Sequence, residues 1–126
     1  MKWAWVVLVV VAVGFFVLRS RPAKGVMSVT AADMKQLMND KRQTAGMQFI
    51  DVREPSEYRG GHAQGFKNIP LGQLKNHLGE LERDQPVVVM CHSGARSTQA
   101  ARMLAKQGFK DVRNVRGGMM AWGSRR

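Results

Sequence analysis

A chain of 126 residues holds one small domain, not two, and its single cysteine excludes an intramolecular disulfide. Three histidines and one cysteine also fall short of the four, usually Cys-rich, ligands of a structural zinc site. The net charge of +11 is uneven: Lys2, Arg19, Arg21 and Lys24 stand unopposed before residue 25, and the remainder carries +7. A basic surface attracts anions. No nucleic-acid motif is present and aromatic residues interleave little with the basic ones, so no nucleic-acid partner is expected. An unpaired thiol fits a reducing compartment, where it is free to work.

Trp3 to Leu18 is an uninterrupted apolar run. As a helix it spans about 24 Å, slightly short of a hydrocarbon core of about 30 Å. Lys2 and Arg19 are placed to snorkel to the two interfaces, and Trp3 and Trp5 to form an interfacial belt. A cleaved signal peptide is the alternative, but Leu18-Arg19-Ser20-Arg21-Pro22 offers no small-residue cleavage site. Residues 1–19 are therefore expected to form a single-pass transmembrane anchor that meets membrane lipid through residues 3–18, with 20–25 as linker. The charges of Arg19, Arg21 and Lys24 predict a cytoplasmic domain by the positive-inside rule.

From residue 26 onward, strand and helix signals alternate. Val26–Val29 reads as a strand, and Thr30 with Asp33 resembles a capping box before a helix through Met34, Leu37 and Met38. Met47–Val52 is a second strand. Pro55 and Gly60-Gly61 bracket one helical turn around Glu57-Tyr58, and Lys67–Ile69 is a third, short strand stopped by Pro70. Leu71, Leu74, Leu78 and Leu81 fall at helical spacing, a core stripe. Pro86-Val87-Val88-Val89-Met90 is β-branched, uncharged and short, the pattern of a central strand covered on both faces. A helix is expected from about Ser97 to a stop at Gly108, then a strand Val112–Val115, then a turn at Gly117-Gly118 into a short helix with Trp122. Residues 26–126 thus predict an α/β domain with a mainly parallel central sheet of about five strands flanked by helices.

In such sheets, sites form beyond the C-terminal ends of strands, and Cys91 occupies that place. The turn Cys91-His92-Ser93-Gly94-Ala95-Arg96 predicts consecutive inward N–H groups at a helix N-terminus, which stabilise a thiolate. Gly94 permits the tight turn and Ser97 is a candidate cap. The alternative for Cys91 is a small buried hydrophobe, but the polar and small residues after it favour a reactive thiol.

The motifs then become specific. Ile50-Asp51-Val52-Arg53-Glu54-Pro55 with Glu57-Tyr58, Gly61-His62-Ala63 with Asn68-Ile69-Pro70, Cys91-x-x-Gly94-x-Arg96-Ser97, and Gly117-Gly118 with Ala121-Trp122 occur in order. Together they resemble a rhodanese domain over residues 26–123. Ala63 departs from the Ile frequent after the motif histidine, a change that affects packing. The resemblance implies a sulfurtransferase, with Cys91 catalytic and His92, Ser93, Gly94, Ala95 and Arg96 binding substrate. A small sulfur donor such as thiosulfate loads Cys91 as a persulfide, and a thiol or cyanide acceptor, or a protein acceptor, removes the sulfur. No metal and no organic cofactor are implied.

Around this centre, Arg96 is the candidate for an anionic donor, with bonding to loop carbonyls as its alternative. His92 is a candidate for the pocket mouth. Asp51 reads as a structural ion pair with Arg53, His62 as a hydrogen-bonded structural residue, His77 as solvent-facing, and Trp122 as a packing aromatic. A cysteine phosphatase or arsenate reductase is the first competing function, but such loops resemble Cys-x5-Arg and this one is Cys-x4-Arg. A non-enzymatic recruitment module is the second, since fold alone does not prove activity.

Overall fold

The computed structural model describes residues 3–20 and 25–123, with side chains for 3–13 and 25–123. Five strands form one parallel sheet in the order β1-β5-β4-β2-β3: β1 (Val26–Thr30), β2 (Gln48–Asp51), β3 (Lys67–Asn68), β4 (Val87–Met90) and β5 (Val112–Arg116). The expected strands are all present, within about two residues at each end. β4 is central, and its four residues are buried on both faces, as an uncharged β-branched run requires.

Alternation along β4 divides the core. Val87, Val89 and then Cys91 join the cluster with Leu74, Leu78, Ala100, Ala101 and Leu104, from α5 (Leu71–Leu74), the 3-10 helix Lys75–Glu80 and α6 (Ala95–Lys106). Val88 and Met90 face the other layer, with Met34 of α2 (Ala31–Met38), Phe66, and Trp122 of α7 (Gly118–Trp122). Two short helices complete the domain, α3 (Lys41–Thr44) and α4 (Pro55–Arg59). Thr30 caps α2 by accepting from the Asp33 N–H at 3.0 Å, as the Thr-x-x-Asp spacing predicts.

Three expectations are corrected. The leucine stripe is not one α-helix: Gly72 and Gly79 lower helix propensity, and the chain tightens into a 3-10 helix after Leu74 while Leu74 and Leu78 still reach the core. Next, α6 starts at Ala95, not near Ser97, because Gly94 takes the left-handed N-cap position at φ +110°. The third concerns the N-terminus, where α1 (Ala4–Ser20) has 17 residues, about 26 Å of helix against about 30 Å of hydrocarbon. Among the described residues no helix is long and apolar enough to cross a membrane, so the transmembrane helix is not upheld. Lys2, Arg21 and Lys24 lie outside the described residues. Along residues 3–13, Trp3, Trp5, Val7, Leu8, Val9, Val10, Val11 and Val13 are exposed.

Candidate active site

β4 ends at Met90 and delivers Cys91 to the sheet edge, where the thiol is 1% exposed. Burial alone pushes a thiol pKa up, because the charged form loses its water. Here that effect is outweighed by the Ser97 hydroxyl and the backbone N–H groups of Ser97, Gly94 and Ser93, so Cys91 is lowered from its ordinary value. The Gly94 N–H donates to Sγ at 2.9 Å. The thiol in turn donates to Ser97 Oγ at 3.3 Å, and that hydroxyl donates to the Gly94 carbonyl at 3.2 Å. Once the thiol ionises, the same hydroxyl is in reach to turn its proton onto the thiolate.

The carbonyls of the same loop are held by α7 and by the start of α6. Met119 N–H donates to the Cys91 carbonyl at 2.7 Å and Met120 N–H to the His92 carbonyl at 3.0 Å. Both donors belong to the first turn of α7, whose N–H groups have no partner within the helix. The Gly94 carbonyl accepts from the Thr98 N–H at 3.1 Å and the Thr98 hydroxyl at 2.6 Å. Gly118 makes this approach possible: at φ +54°, a Cβ on it would lie 2.2 Å from the Cys91 carbonyl oxygen.

The other expected site residues distribute around this cradle. His92, Ser93 and Ala95 are exposed, Gly94 half-buried. Arg96 is half-buried and makes a bidentate pair with Glu57 of α4, at 2.5 and 2.9 Å. The Arg96 guanidinium, with a further hydrogen bond from the Glu54 N–H, holds Glu57 down to about 2 against the cost of burial. Sequence reasoning missed Glu57, which is 39 residues from Arg96 and was read only as part of a motif. It also took Ser97 for a cap, whereas its hydroxyl faces the sulfur.

Asp51 and Arg53 pair as expected: Asp51 is fully buried and accepts from the Arg53 backbone N–H, Nε and Nη2 at 2.9–3.1 Å. His62 Nδ1 lies 2.9 Å from the Tyr58 carbonyl and its ring stacks on Tyr58 at 3.6 Å. His77 is half-buried, with its side chain 38% exposed, and pairs with Glu80. Trp122 is buried edge-on to Phe66. A surface depression of about 480 Å³ is lined by Arg59, Gly60, Gly61, His62 and Gln64, and Cys91 is not among them. Among the described residues no group of three or more His, Cys, Asp or Glu is placed to hold a metal ion.

Comparison with known proteins settles the family. The family model for the rhodanese-like domain matches residues 30–125. The chain belongs to this family. An uncharacterised protein of Bacillus subtilis is 46% identical over 78 residues, 62% of each chain. The chain also spans 54% of the length of another Bacillus subtilis relative. A thiosulfate sulfurtransferase of Shewanella oneidensis is 35% identical over 80 residues, 64% of this chain and 79% of that one. Among solved structures, a rhodanese-like domain protein from Staphylococcus aureus superposes with a TM-score of 0.70 at 29% identity, covering 77% of this chain and 91% of that one. The rhodanese domain therefore accounts for the five-stranded parallel sheet and for the position of Cys91 at its edge.

Proposed function

We propose that the protein is a rhodanese-type sulfurtransferase that moves sulfane sulfur from a donor such as thiosulfate to a thiol or cyanide acceptor through a persulfide on Cys91. The observation that carries this reading is the Sγ position, faced by loop amides and the Ser97 hydroxyl and lowered in pKa despite burial. The name of the Shewanella relative supports the donor class.

The Cys91 thiolate attacks the outer sulfur of thiosulfate. The sulfur–sulfur bond of the donor breaks, its electron pair leaves with sulfite, and Cys91 carries a persulfide. An acceptor thiolate or cyanide then attacks the terminal sulfur, takes it as a persulfide or thiocyanate, and returns the Cys91 thiolate. Both charge and sulfur balance in each half. The inward amides stabilise negative charge on the bound sulfur, as an oxyanion hole does for oxygen. His92, Ser93, Gly94 and Ala95 form the wall that the donor meets, and Arg96 is the cation that meets its sulfonate end.

Mass spectrometry of the full-length chain after incubation with thiosulfate tests this: one sulfur atom should appear on Cys91, and cyanide should remove it. Cys91→Ser should take up none. Hydrolysis of a phosphate ester without a sulfur adduct would make the protein a phosphatase, and neither activity across a broad donor screen would make it a recruitment module.

We further propose that α1 holds the protein at a membrane, with the rhodanese domain on the cytoplasmic side. The exposed apolar residues of Trp3–Val13 support this, since such a surface is costly in water, and the neighbouring basic residues suit anionic lipid. The full-length protein should sediment with membranes in high salt, and protease added to intact cells should not reach the domain. Val9→Lys with Val10→Lys should release it, and a wild-type protein found in the soluble fraction would end the proposal.

A further inference from the structure

We propose that Glu57 sets donor specificity by competing with the donor's oxyanion end for Arg96. This rests on the sulfurtransferase reading above. Arg96 lies in the loop that carries Cys91, yet both arms of its guanidinium are taken by the two oxygens of one carboxylate from α4. A guanidinium presents a planar fork that matches a carboxylate or an oxyanion in the same bidentate way. A sulfonate group and Glu57 therefore seek the same donors. The pair is only about two-thirds buried, with side chains 33% and 34% exposed, so water and ligands reach it. Exchange of one anionic partner for another is consequently open to the solvent side. Glu57 is not spare charge: its carboxylate also accepts from the Glu54 N–H at 3.1 Å, which keeps it in place when a donor arrives. The consequence is a site biased against multiply charged oxyanion donors and toward sulfane sulfur carried on less charged molecules.

Glu57→Gln in the full-length chain tests the sign of the effect. The amide keeps the shape and still accepts from the Glu54 N–H, so α4 retains its cap. KM for thiosulfate should fall about fivefold, the order of an exposed ion pair, with kcat little changed. The concentration of sulfate that protects Cys91 from iodoacetamide should fall by the same factor. Neither should move when Glu57→Gln is made on Arg96→Ala. Glu57→Asp, which keeps the charge but loosens the bidentate fit, should lie between wild type and Glu57→Gln. A higher KM and weaker sulfate protection in Glu57→Gln would mean that Glu57 aims Arg96 at the donor, and would overturn the proposal. An unchanged KM, or the same fall without Arg96, would also overturn it. Sulfate protection needs no sulfur transfer, so it reads this competition separately from loading of Cys91, whose absence would refute the sulfurtransferase reading.

Discussion

The neighbouring strands β2 and β4 both end at the same edge of the sheet, and both feed a short loop into a helix. Their ends have opposite chemistry. After β2, the Asp51 carboxylate is saturated by three donors of Arg53, and Asn68 ties down the carbonyls of Asp51 and Arg53 at 3.0 and 2.9 Å. Charge is neutralised in place. After β4, the scaffold consumes carbonyls through Met119, Met120 and Thr98 and leaves N–H groups turned toward sulfur. Carbonyls are tied down in both loops, so what separates them is where the N–H groups go: the Arg53 N–H turns to the loop's own Asp51 carboxylate, and the Gly94 N–H turns to the Cys91 sulfur. The β2 loop meets its own carboxylate with its own guanidinium and becomes a brace; the β4 loop turns its amides on a thiol and becomes an anion cradle.

Removing the outside support should collapse the difference. Gly118→Ala puts a Cβ 2.2 Å from the Cys91 carbonyl oxygen, against backbone on both sides. The left-handed φ of +54° adds about 1–2 kcal/mol of strain for a residue with a Cβ. The cradle must shift, and a displacement of about 1 Å is enough to cost about a hundredfold in rate. Single-turnover persulfide formation should fall by about that factor. Gly117→Ala meets the Ala121 side chain instead, at 2.8 Å, and should cost less. Equal losses in the two variants would mean that strain in the turn matters and the carbonyl contact does not.

The brace breaks differently. Arg53→Ala leaves the fully buried Asp51 carboxylate without its pair and should destabilise the domain by about 3–5 kcal/mol. Urea unfolding measures this. Activity per folded molecule should stay near wild type, because neither residue bonds to Cys91 or its cradle. A selective loss of transfer rate with stability intact would show that the two strand ends are coupled in the reaction.

The sequence makes one of these two ends far more legible than the other partners it depends on. Val87–Met90 could be read as a central strand because it is β-branched, uncharged and short, and Cys91-x-x-Gly94 announces a turn directly after it. The Asp51–Arg53 brace is two residues apart and was within reach of local reasoning. Gly118 under the Cys91 carbonyl and Glu57 on Arg96 were not, since each contact joins segments 27 and 39 residues apart and is set by how layers pack. Ser97 was misassigned for a local reason: serine is a common cap, but Gly94 already occupies that position and puts Ser97 on the first turn of α6, facing Sγ. At the N-terminus both apolarity and length were legible, since the expected helix of about 24 Å is close to the 17 residues of α1 (Ala4–Ser20); what the sequence did not decide is whether flanking charges make up the shortfall against a bilayer.

Ser97→Ala should give the smallest effect and the sharpest reading of the cradle. The hydroxyl is one of several groups that lower the Cys91 pKa, and the Gly94 N–H at 2.9 Å remains without it. The loop should hold its shape, because the Gly94 carbonyl keeps both Thr98 donors. The thiol pKa should therefore rise toward its ordinary value without reaching it. The sign follows directly: thiolate is the reacting form, so at a given acidic pH less of the variant is reactive. The pH profile of Cys91 alkylation should move to higher pH, with rates below the transition reduced by up to about tenfold, the scale of one hydrogen bond to a charged group. Above the transition the variant should match or slightly exceed wild type, since a thiolate of higher pKa is the stronger nucleophile. Ser97→Thr keeps a hydroxyl at the same position and should restore the profile. A profile unmoved by Ser97→Ala would assign the thiolate wholly to the backbone amides, and a loss of rate at every pH would show that the hydroxyl shapes the loop.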